Sequence, residues 1–149
     1  MVKARFGSKR GNAMVEFAIS FPFLILILAG IFQFGYSFFV YNGLKSAVQN
    51  GARFGAVTDY EAGSDGFSAK IKNVVVYGTP APKPDAKAVL PGLSTDSVAV
   101  TASEFDGTGI PRLVTVAISS YEVPSIWRSI RFEDKPRATF AYMGQFIDE

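Results

Sequence analysis

Gly11 and Glu16 stand five residues apart at a sharp change in the character of the chain. Lys3, Arg5, Lys9 and Arg10 precede Gly11 with no acidic residue among them. After Glu16 the stretch from Phe17 to Val40 runs for 24 residues without a formal charge. A carboxylate in such a run costs about 2.5–3.5 kcal/mol at the centre of a bilayer and less near its surface. The positive end of a helix dipole offsets a little of this, but the charge still asks for a partner. Hydrolysis of the peptide bond after Gly11 would create one. It would leave Asn12 with a free amine, positive near neutral pH with a pKa of about 8, and Glu16 as the fifth residue of the shortened chain. In a bundle of such helices, the amine of one copy could meet the carboxylate of its neighbour. Low dielectric would strengthen that attraction and set the axial register between helices.

Little else in the sequence invites chemistry. There is no histidine and no cysteine, which removes the commonest general base, the thiolate nucleophile and thiolate zinc sites. Glu104 with Asp106, and Glu133 with Asp134, are carboxylate pairs without the further ligands of a calcium loop; they read as solvated turn residues. Gly107-x-Gly109 lacks the third glycine and following helix of a dinucleotide site. No catalysis, metal or cofactor is expected. The four leader cations leave eleven basic and thirteen acidic residues in the rest of the chain, so no nucleic-acid surface is expected either.

Glu16 needs an element to position it, and the pattern supplies a helix. At about 1.5 Å per residue, residues 17–40 span roughly 36 Å, enough for a hydrocarbon core of about 30 Å. The basic leader favours a cytoplasmic N-terminus, which puts everything beyond the helix on the outer side. The run is long for a secretory signal, and no small-x-small cleavage site follows it. Leu28-Ala29-Gly30 lacks the cysteine of a lipoprotein box. An uncleaved membrane anchor is the plainer alternative. Pro22 removes a backbone hydrogen bond within the run and is expected to kink it. The helical pattern continues past Val40: Leu44, Ala47, Val48, Gly51, Ala52 and Gly55 form one stripe of mostly small residues. Either another subunit or the chain's own outer domain could cover it.

Basic residues, Gly11, four spacer residues, Glu16 and an apolar helix together resemble the processing site of type IV pilin-like proteins. Arg10-Gly11-Asn12-Ala13-Met14-Val15-Glu16-Phe17-Ala18 is closer still to the opening of the TadE-like pseudopilins of the tight-adherence (Tad, or Flp) system. Ala47-Val48-Gln49-Asn50-Gly51-Ala52-Arg53-Phe54 resembles that family's second signature, with Gly51, Ala52 and Arg53 as its GAR segment. Phe17 stands where the major Flp pilin usually has tyrosine, which suits a minor subunit. The resemblance covers residues 9–57. It implies cleavage between Gly11 and Asn12 by a prepilin peptidase, and assembly through Glu16 and Phe17. It further implies partnership with other pilin subunits, in a homo- or hetero-polymer, and with the inner-membrane assembly platform and membrane lipid. The implied location is the bacterial inner membrane and then the pilus or cell surface. The implied roles are adhesion, biofilm formation or secretion; a main filament subunit is the nearest alternative.

The expected organisation is a basic leader over 1–11, a helix over 12–57 and an outer domain over 58–149. Arg53 is expected to be structural, pairing with Asp59 or Glu61 or capping the helix end. Residues 58–66 read as a turn. Phe67, Ile71, Val74 and Val75 suggest a second helix over about 68–77, although Val74–Tyr77 also suits a strand. Four prolines mark residues 78–94 as a long surface loop. Strands are expected at 97–103, 112–123 and 137–146, the first two joined by a hairpin at 106–109, with Pro124 ending the second. Ile126 and Trp127 are expected to pack on the core. The fold class is therefore α+β, with a long N-terminal pilin-like helix packed on a small antiparallel sheet.

Overall fold

The computed structural model describes residues 9–60, 65–105, 107, 109–123 and 129–144. These form two α-helices, one 3-10 turn and five strands, an α+β chain. Contacts divide it into residues 1–36 and 37–149.

Helix α1 (Lys9–Val57, 49 residues) begins three residues before the expected start and runs through Pro22 without interruption. In the first unit its surface is apolar all round: every side chain from Gly11 to Leu28 is exposed, Met14, Phe17, Phe23 and Ile27 among them. The rings of Phe17 and Phe21 lie 5.2 Å apart. A helix with no polar face and no protein cover is the pattern of a membrane span. α1 is long and apolar enough to cross one.

In the second unit the outer part of α1 changes character. Val40, Leu44, Ala47, Val48, Gly51, Ala52, Gly55 and Ala56 are buried, while Lys45, Ser46, Gln49 and Asn50 face outward. The chain's own outer domain therefore covers the small-residue stripe. Helix α2 (Asp65–Tyr77) buries Phe67, Ile71, Val74, Val75 and Val76, so the strand alternative for Val74–Tyr77 does not hold. α2 starts at Asp65, within the expected turn, with that acidic residue at its positive end. Glycine lets the two helices meet: a methyl group added at Gly51 would strike the Val75 side chain. One added at Gly55 would come within 2.6 Å of Ile71 Cδ1 and 3.1 Å of Val114 Cγ1.

Strands β1 (Val98–Ser103), β2 (Leu113–Ile118) and β5 (Arg137–Ala141) form an antiparallel sheet in the order β1-β2-β5. Val100 stands opposite Val116, and Val116 opposite Ala138. The expected single strand over 112–123 is in fact two. Val114, Val116 and Ile118 are fully buried, with Ala117 also buried between the last two, then Ser119 and Ser120 are both exposed, and burial resumes at Tyr121 and Val123. Alternation slips by one residue at the two serines, so the chain cannot continue on the same face. β3 (Ser120–Val123) leaves to pair with β4 (Ile130–Glu133), which the sequence reading missed, in a separate two-stranded ribbon.

The proline-rich stretch 78–94 is only partly a surface loop. Leu90 and Leu93 are buried. Val89 N–H donates to the Val76 carbonyl at 2.8 Å, and Tyr121 Oη–H to the Pro91 carbonyl at 2.6 Å. Composition marks the turns here, whereas two leucines fasten the segment to the core. β5 ends at Ala141, short of the expected end at 146, and residues 145 and 146 lie outside the described residues. Tyr142 N–H still donates to the Arg112 carbonyl at 2.8 Å, and its side chain reaches the end of α1. Tyr142 Oη accepts from Tyr60 N–H at 2.9 Å and donates to the Thr58 carbonyl at 3.0 Å. Met143 N–H donates to the Ala56 carbonyl at 2.8 Å. The hairpin residues Asp106 and Thr108, together with Pro124, Ile126 and Trp127, lie outside the described residues.

Candidate functional site

The residues expected to act lie at two places on α1, one in each unit. Gly11 and Asn12 lie in its first turn, after Lys9 and Arg10. Among the described residues nothing demands glycine at position 11: an added methyl group would meet no atom within 4 Å, and glycine in a helix costs about 1 kcal/mol against alanine. Glu16 and Phe17, one turn further on, are both exposed. Among the described residues Glu16 has no ion pair. The helix thus presents a bare carboxylate at the edge of a surface that is otherwise apolar.

The second place is the GAR segment. Gly51 and Ala52 are buried, Gly51 beneath Val75 of α2. Arg53 is exposed, and among the described residues it has no ion pair; Asp59 does not reach it. Glu61, the other expected partner, lies outside the described residues. Arg53 instead lines a groove with Gln49, Asn50, Ala56 and Val57 of α1 and with Phe140 and Met143 at the end of β5. Sequence reasoning missed this groove, since nothing in the spacing joins Arg53 to residues so far along the chain.

The carboxylates considered for catalysis are occupied differently. Arg131 lies 3.9 Å from Glu133, and Arg137 lies 3.9 Å from Asp134, all exposed. Among the described residues no cluster of three metal-ligating side chains occurs.

Both places fall within one recognisable segment. Residues 11–53 match the family of TadE-like proteins. The TadE-like segment begins at the glycine before the expected cleavage point and ends at Arg53. It takes in the carboxylate, the whole apolar run and Gly51, where α1 meets Val75 of α2, but not Gly55. Neither curated proteins nor solved structures give a match.

Proposed function

We propose that this chain is a membrane-anchored minor pilin of a Tad-like system. It is cut after Gly11 by a prepilin peptidase and drawn from the inner membrane into a surface filament, or placed at its tip or base. Glu16 is the single observation that carries the reading. It is exposed, unpaired among the described residues, and placed where cleavage brings an amine within reach. In the filament the Asn12 amine of one subunit neutralises Glu16 of the next, and Phe17 and the apolar face of α1 exchange lipid for neighbouring helices. Pro22 bends the span so that it fits the filament core. The match of residues 11–53 to TadE-like proteins supports this.

The helical backbone that runs unbroken from Lys9 through Gly11 favours a second reading, an uncleaved anchor carrying an extracytoplasmic binding domain. N-terminal sequencing of the membrane fraction separates the two: Asn12 supports the pilin and Met1 the anchor. The assembly role has its own test in Glu16→Ala. Cleavage persists, because Gly11 and the leader are intact, while filament incorporation falls sharply. Incorporation at the normal level would end the claim for Glu16.

A further inference from the structure

β5 is an edge strand of the β1-β2-β5 sheet, and its end lines the groove that holds Arg53. Tyr142 N–H donates to the Arg112 carbonyl at 2.8 Å, and Ile118 N–H to the Pro136 carbonyl at 3.1 Å. In the register that sets Val116 opposite Ala138, these bonds turn the backbone groups of Pro136, Ala138, Phe140 and Tyr142 toward β2. Bonding alternates along an antiparallel pair, so the N–H and C=O groups of Arg137, Thr139 and Ala141 point away from β2. Among the described residues no partner takes them. Unpaired edge groups of this kind are a template for a further strand.

The groove beside the edge suits such a strand. Its volume of about 490 Å³ lies within the range of about 300–1,000 Å³ found for ligand clefts. Val57 and Met143, on its lining, are more than half exposed. Arg53 is the one charged side chain of that lining, and among the described residues it has no ion pair. α1 lies against β2 where Gly55 approaches Val114, and its Arg53 flank emerges beside β5. A strand added to β5 at the usual spacing of about 4.8 Å would run beside that flank. Arg53 and Val57 are one helical turn apart, about 6 Å along the axis. Side chains two apart on one face of a strand are separated by about 6.6 Å.

We propose that the β5 edge takes up an extended acidic segment of another protein. The backbone of the segment pairs with Arg137, Thr139 and Ala141. One of its carboxylates meets Arg53, and an apolar side chain two residues away covers Val57 and Met143. Main-chain pairing supplies affinity, and the groove supplies the choice of sequence. Charge argues against a second copy as the occupant. β1, the strand at the other edge of the sheet, carries none, and the carboxylates of β3 and β4, Glu122 and Glu133, already lie by Arg131. The inference goes beyond the pilin reading and does not depend on cleavage after Gly11 or on Glu16.

The test uses full-length protein in lipid nanodiscs and a phage library of random nine-residue peptides. Panning should enrich peptides with an acidic residue two positions from an apolar one. The best of these, made synthetically, should bind Arg53→Glu at least tenfold more weakly, while its lysine counterpart gains. N-methylation of alternate peptide amides should abolish binding in one parity and spare it in the other. The Thr139 and Ala141 amides should exchange fast in the free protein and slowly with peptide present. Enrichment without an acidic preference, binding indifferent to Arg53→Glu, or equal tolerance of N-methylation in both parities overturns the proposal. Peptide binding seen only after residues 145–149 are removed makes the chain's own end the occupant and overturns it too. So does protection of Thr139 that rises with protein concentration alone, which identifies a second copy.

Discussion

Glycines along α1 look alike in the sequence but stand in different surroundings. Gly51 lies against Val75, a stiff β-branched side chain that cannot swing aside. Gly35 meets nothing within 4 Å. Gly51→Ala should therefore overpack the joint between α1 and α2 and destabilise the outer domain by about 1–3 kcal/mol. Gly35→Ala should leave it unchanged or slightly firmer, given alanine's helix propensity of about 1 kcal/mol over glycine. Denaturation in detergent, followed by the loss of sheet circular dichroism, distinguishes the two; equal effects would refute the close approach at Gly51.

Between elements, the end of α1 is tied to the end of β5. Tyr142 contributes one hydroxyl that both accepts from Tyr60 N–H and donates to the Thr58 carbonyl, and Met143 N–H reaches the Ala56 carbonyl. Tyr142→Phe keeps the ring but leaves a part-buried donor and acceptor without their partner. A loss of about 1–3 kcal/mol is expected, with faster hydrogen exchange at Tyr60 and no change in processing after Gly11. Unaltered exchange at Tyr60 would show that the hydroxyl does not fasten the helix end. β5 is shorter than its alternating sequence suggests, yet Tyr142 N–H still donates to the Arg112 carbonyl across from it, so the chain turns to the helix only at Met143.

At the scale of the molecule, the two units differ in what covers them. All the buried hydrophobic residues described lie in 37–149, and the long run of exposed apolar side chains lies mainly before it. A chain beginning at Ser37 should keep its strand signal and dissolve without detergent. The full chain should require detergent or lipid, or else self-associate. Sedimentation with and without detergent checks this, and a truncated chain that aggregates or loses its strand signal would count against an independently folded outer unit.

The sequence alone determined the features that depend on neighbours a few residues away. The basic leader, the Gly11-to-Glu16 spacing, the 24 uncharged residues and the helical stripe from Leu44 to Gly55 are all local periodicities or charges, and local physics fixes what they can form. The slip at Ser119-Ser120 falls inside the single strand expected over 112–123, and the structure divides it there. Only the tertiary structure decided what covers each surface. It set Gly51 against Val75, brought Arg53 beside Phe140 and Met143, placed Phe132 by Tyr41 and buried Leu90 and Leu93 within a proline-rich stretch. Each joins residues distant in the chain, and which distant surfaces meet depends on the summed fit of the whole core, a quantity no single window of sequence contains.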